Sequence, residues 1–168
     1  FPEVKRGKES DLEGAARIGN RPWWIGSHSR NPDGEEKKGR HRLFALDIVA
    51  NADGPRLVPA GIPFRGLLAD MIAADNLQGL GLGDASLLAA EAPGGLNIEG
   101  LAATPEGTLL IGFRNPLING KALIVPLLNP TDLIAGQNNA KARFGTPILF
   151  DLGGRGIRDL DRHGDGLL

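Results

Sequence analysis

The chain of 168 residues contains no cysteine and no tyrosine. Lacking cysteine, it has neither disulfides nor thiolate metal sites, so no covalent framework holds the fold. Charge of one sign is missing as well. Nineteen Lys and Arg stand against 20 Asp and Glu, a formal net charge of −1. That balance excludes the concentrated cationic face that phosphate neutralisation demands, so neither nucleic acid nor an anionic membrane surface is an expected partner. No apolar run approaches the ~18 residues of a spanning helix, so no membrane span is expected. The opening Phe1-Pro2-Glu3-Val4-Lys5 lacks the apolar run of a signal peptide, and a start without Met is expected of a processed or excised chain. Glycine and proline are abundant instead. Gly 25 plus Pro 12 makes 37 of 168 residues, while hydrophobic residues at 41% are too many for a disordered chain. A single domain of many turns and short elements follows.

An internal repeat organises the sequence. Asp11-Leu12-Glu13-Gly14-Ala15-Ala16 matches Asn97-Ile98-Glu99-Gly100-Leu101-Ala102 at an offset of 97 − 11 = 86. The same offset lays Ile25-Gly26 on Ile111-Gly112 and Asp33-Gly34 on Asn119-Gly120. A third copy begins at Gly156, where Gly156 to Leu160 overlies Asn97 to Leu101 at an offset of 59. Each copy reads as β. Short apolar runs alternate with Gly19-Asn20, Asp33-Gly34 and Asn119-Gly120, dipeptides suited to tight turns. Third strands are expected over Arg42–Ile48 and Ala122–Val125, and fourth strands over Arg56–Ala60 and Pro147–Leu152. Between the copies, Leu67, Leu68, Met71 and Ile72 recur at helical spacing and mark an insertion. Gly79-Leu80-Gly81-Leu82-Gly83 has the wrong spacing and context for a nucleotide loop.

The expected fold is all-β: a β-propeller fragment with one four-stranded antiparallel unit at 11–61, a helical insertion at 62–95, a second unit at 97–152 and the start of a third at 156–168. Two units and part of a third cannot close a ring. The remainder of the propeller, with Phe1–Lys8 as the tail of a preceding unit, or other copies of the chain are therefore expected as partners.

The segments Asp11–Ala16, Trp24-Ile25-Gly26-Ser27-His28-Ser29-Arg30, Asn97–Pro105, Leu110–Pro116 and Asp151–Arg158 together resemble a bacterial family catalogued only as a domain of unknown function. The resemblance implies a six-bladed type of propeller, distantly similar to phytase-like and esterase-like propellers and longer than this chain at both ends. It brings no established activity and no catalytic residues.

Site residues follow from hairpin geometry. If the first hairpin turns at Gly19-Asn20, paired residue numbers sum to 39, which sets Asp11 opposite His28 and Glu13 opposite Gly26. The shifted sum of 211 sets Asn97 opposite Arg114 and Glu99 opposite Gly112. Asp11 and His28 are the catalytic candidates, because a carboxylate that fixes an imidazole tautomer raises its basicity. Glu13, Ser27, Ser29, Asn97, Glu99, Arg114, Asn115 and Arg158 are expected to line a rim that binds a small polar or anionic ligand. Arg158 stands where the other copies have Glu13 and Glu99, which suits a structural ring of salt bridges. As the alternative, Asp11, Glu13, Asn97 and Glu99 offer the oxygen ligands that Ca²⁺ prefers, with Glu13 and Glu99 as the metal candidates. Asp161 to Gly166 resembles the start of a calcium loop but reads as a turn, and Lys37 to Arg42 reads as a solvated basic loop. Ser27 and His28, adjacent on a strand, point to opposite faces and make no catalytic pair. Two functions compete: a hydrolase of phytase-like or esterase-like type at the channel mouth, and a non-catalytic scaffold or binding module with a structural Glu/Arg ring. Periplasm, secretion and cytosol all remain open, with the first two preferred.

Overall fold

A computed structural model describes residues 11–136, 139–164 and 166–167. Its first sheet is a meander of β1 (Leu12–Ile18), β2 (Arg21–Gly26), β3 (Leu43–Val49) and β4 (Arg56–Pro59), antiparallel throughout. Alternation decides which way each residue faces. Trp23 and Ile25 are wholly buried on one face, while Trp24 on the other stacks on Phe44 with ring centroids 5.6 Å apart. An insertion follows, with helices α1 (Leu67–Ala73) and α2 (Leu82–Ala85). In α1 the buried residues Leu67, Leu68 and Met71 turn toward the core, and Ile72 is exposed. The second sheet repeats the meander with β5 (Asn97–Ala103), β6 (Leu109–Ile118), β7 (Lys121–Leu127) and β8 (Ile148–Phe150). Helix α3 (Pro130–Ile134) lies between β7 and β8, and a small hairpin pairs β9 (Arg162–His163) with β10 (Gly166–Leu167). The chain is all-β, and its principal sheets are antiparallel.

The sheets pack face to face. Trp23, Ile25, Leu43 and Ala45 of the first join Leu101, Leu109, Ile111, Phe113, Leu123 and Val125 of the second in one apolar core. Each such side chain contributes about 1.5–3 kcal/mol when fully buried. The opposite face of the second sheet, with Ala102, Leu110, Ala122 and Ile124, is covered by Ile157 and Leu160. Covered on both sides, all seven residues of β5 are buried.

The joint between the sheets is used twice. A Cβ on Gly14 would lie 2.8 Å from the Leu101 Cβ, and one on Gly100 would lie 2.9 Å from the Leu160 Cβ. Gly14 and Gly100 are 86 residues apart, and Leu101 and Leu160 are 59 apart, the two repeat offsets. Backbone bonds follow suit. Ile98 N–H donates to Ser27 O at 3.0 Å, and Ile157 N–H, 59 residues on, donates to Phe113 O at 2.9 Å. The third copy therefore sits on the second sheet much as the second sits on the first.

Register corrects the hairpin sums. Gly14 to Ile18 pair with Ile25 to Arg21 at the expected sum of 39, but a bulge between Leu12 and Gly14 leaves Glu13 unpaired and sets Leu12, not Glu13, opposite Gly26. In the second sheet Gly100 to Ala103 pair with Gly112 to Leu109 at a sum of 212, and Asn97 faces Asn115 rather than Arg114. Gly112 faces Gly100, not Glu99. The turns explain the difference. Ile18 and Arg21 flank a two-residue turn, whereas Thr104 N–H bonds Thr108 O across three residues, with Gly107 at φ 87°. One extra turn residue moves every later pairing by one.

Candidate functional site

Close backbone approach builds the rim where β1 and β5 begin. A Cβ on Gly26 would lie 2.2 Å from Arg40 O, so glycine lets the 37–42 loop come in against β2. A Cβ on Gly156 would lie 1.8 Å from Arg114 O, so glycine likewise admits the third copy and brings Arg158 to the site.

Glu99, in the β5 bulge between Ile98 and Gly100, is the centre of the arrangement. Its Oε1 accepts from Asn97 Nδ2 at 2.7 Å and from Arg114 Nη1 at 3.0 Å, and its Oε2 accepts from Arg158 Nη1 at 3.3 Å. The carboxylate is 10% exposed, Arg114 27% and Arg158 68%, so the Arg114 arm is the better shielded. The hydrogen bond to Glu99 is the main reason that the Arg114 pKa is raised. Arg114 Nη1 also reaches the exposed Glu91 at 3.1 Å, and Asn115 Nδ2 donates to Ala90 O at 3.4 Å. Glu91 and Ala90 belong to the insertion. Its segment Ser86–Glu91 also meets the first unit, where Arg30 Nε donates to Ser86 O at 2.9 Å.

In the first unit a second network forms. Asp11 Oδ2 accepts from Ser27 Oγ at 2.5 Å and pairs with Arg40 Nη1 at 3.2 Å, while Arg40 Nη1 also donates to Ser29 Oγ at 3.0 Å. Ser27 and Ser29 are buried and 2.8 Å apart. Glu13, beside Asp11 and Glu99, has its carboxyl pKa raised by burial first and then by those two neighbouring acids.

Asp11 and His28, expected to face each other, do not form a pair. The bulge turns Asp11 to Ser27, and His28 Nδ1 bonds Gly26 O at 2.8 Å. Since a carbonyl only accepts, Nδ1 carries the proton. Burial pushes the imidazole pKa down to about 4, so His28 is neutral near pH 7. Its Nε2 is buried without a hydrogen-bond partner among the described residues, and its ring lies 5.4 Å from that of His41. Ser27 is likewise buried and committed to Asp11 and Ser29. No nucleophile and base meet here. Among the described residues no group of three or more His, Cys, Asp or Glu could hold a metal ion. Of the expected oxygen ligands, Asp11 and Glu99 are already engaged by guanidiniums. Asp161 to Gly166 contains the β9–β10 hairpin, with Asp165 outside the described residues, as is Phe1–Lys8.

Sequence reasoning missed Arg40, Arg30 and Glu91. Arg40 was hidden in the basic run read as a solvated loop, and its signal was the glycine at 26 that lets this loop approach. Nothing in the sequence pointed to the Ser86–Glu91 contact with both units.

Fold and site together define an all-β protein of two like sheets with an ionic network where β1 and β5 begin. The family model described as Protein of unknown function (DUF3616) matches residues 67–168, and the chain belongs to that family. Neither curated proteins nor solved structures provide a match. No helix among the described residues is long and apolar enough to cross a membrane.

Proposed function

We propose that the chain is part of a β-propeller serving as a non-catalytic scaffold or binding module, in which Glu99 and the arginines around it form a structural ring at the channel mouth. The observation that carries this reading is Glu99, held by Arg114 of its own unit and Arg158 of the next. The twice-used joint supports the propeller, because a constant step from unit to unit is what a ring of blades requires. Further units, from the remainder of the propeller or from other copies, complete it. A phytase-like or esterase-like hydrolase has less support, since Ser27 is buried and His28 is turned to Gly26 O.

Two observations favour a second reading, a polar ligand or Ca²⁺ at Asp11, Glu13 and Asn97. Asn97 Oδ1 is buried with no donor among the described residues, and the Glu13 carboxyl pKa is raised by burial and then by the neighbouring Asp11 and Glu99. Thermal unfolding of wild type, Glu99→Ala and Glu13→Gln, with and without calcium chloride, separates the two. Removing a carboxylate from a truly buried pair costs about 3–5 kcal/mol and from an exposed one under ~1. With one shielded and one exposed arginine, Glu99→Ala should cost about 2 kcal/mol, equally with and without calcium. A calcium-induced rise in wild-type Tm that disappears in Glu13→Gln would overturn the structural ring in favour of the cation site.

A further inference from the structure

A cleft of about 450 Å³ opens at the far end of the first sheet from the ionic rim, between the ends of β1, β2 and β3 and helix α3. Its walls are mainly apolar, from Ile18, Trp23, Ile48 and Val49, with Arg21, Asp47, Asn20 and Thr131 as the polar lining. That volume lies within the ~300–1,000 Å³ usual for small-molecule sites, and apolar walls with a few polar groups are their usual make-up.

Two of the lining residues carry unspent hydrogen-bond donors. Trp23 is wholly buried, and its indole Nε1–H, which can only donate, has no acceptor among the described residues. Arg21 spends Nε on Asp47 Oδ1 at 2.8 Å and Nη2 on Asp47 Oδ2 at 3.3 Å, which leaves Nη1 without a partner among the described residues. Asp47 cancels the charge of Arg21 but not this donor capacity. A buried donor left unpaired favours any ligand that supplies an acceptor oxygen. We propose that this cleft binds a small carboxylate with an apolar body, one oxygen accepting from Trp23 Nε1–H and the other from Arg21 Nη1, while the body lies against Ile18, Ile48 and Val49.

The sequence has only two tryptophans, and this permits a direct assay. Trp24→Phe leaves Trp23 as the sole indole. Benzoate is titrated into this protein while the Trp23 indole N–H is followed by ¹H–¹⁵N correlation NMR, with benzylammonium as a probe of the same shape but no acceptor oxygen. Benzoate should produce a saturable downfield shift of the indole proton, and benzylammonium should not. Val49→Phe, a partly exposed position where a larger side chain fills the cleft without disturbing the core, should weaken benzoate at least tenfold. Arg21→Gln should weaken it several-fold. No saturable shift up to 50 mM benzoate, an equal response to benzylammonium, or undiminished binding by folded Val49→Phe would overturn the proposal.

Discussion

Placing a methyl group on Gly14 tests how tightly the two sheets are joined. The alanine Cβ would lie 2.8 Å from the Leu101 Cβ, 2.9 Å from the Leu101 N and 3.1 Å from the Gly100 carbonyl carbon. Two of these atoms are backbone and the third is fixed to it, so no flexible side-chain end exists to yield. The second sheet must shift as a body or the strand must bend. Overpacking of this kind costs about 1–3 kcal/mol, and the backbone neighbours put Gly14→Ala in the upper half of that range. At roughly 2–4 °C per kcal/mol for a chain of this size, Tm should fall by about 4–12 °C in a calorimetric scan. Gly79→Ala is the matched control, since its Cβ meets nothing within 4 Å, and it should stay within about 0.5 kcal/mol of wild type. A Gly14→Ala protein that melts with Gly79→Ala would refute the close approach and the joint built on it.

His28 makes stability depend on pH. Its pKa is held at about 4 in the folded protein against 6.5 when exposed, so the unfolded chain binds more protons between those values. Stability is then full above pH ~6.5 and declines toward pH ~4, by about 3 kcal/mol in all, and His28→Asn should flatten this slope in urea titrations from pH 4 to 7. Asp70, buried in α1, accepts from Lys141 Nζ at 2.8 Å and from Ala142 N–H at 2.9 Å, and so ties the insertion to the segment before β8. Lys141 is largely exposed, so the backbone bond matters more. Asp70→Ala should cost about 1–3 kcal/mol in chemical denaturation, and Asp70→Asn, which keeps an acceptor, distinctly less.

The strands were legible because turn chemistry and alternation are local. Asn119-Gly120 sits between β6 and β7 at φ 52° and 76°, as a dipeptide that tolerates positive φ should. The internal repeat also pointed to Arg158 near Glu99. Register was less legible, because it sums over the whole hairpin: the Glu13 bulge and the extra residue in Thr104-Pro105-Glu106-Gly107-Thr108 each moved pairings by one. The second of these had a signal, with Pro at the start of a turn and Gly at its positive-φ position. The bulge had none. Its consequence was the largest, since it took Asp11 from His28 to Ser27 and removed the expected catalytic pair. The contacts of Arg40, Arg30 and Glu91 join segments far apart in sequence, and no local pattern encodes them.

A single joint is repeated from unit to unit, and native-state amide hydrogen exchange at Ile98 and Ile157 tests it residue by residue. Both amides donate across a unit boundary, to Ser27 O and Phe113 O. Both should therefore exchange far more slowly than the exposed residues 51–53, and Gly14→Ala should lower protection at Ile98 while leaving Ile157 near its wild-type rate. Exchange of Ile157 at the rate of an unprotected amide would show that the third copy is not seated on the second sheet, and would contradict the repeated joint.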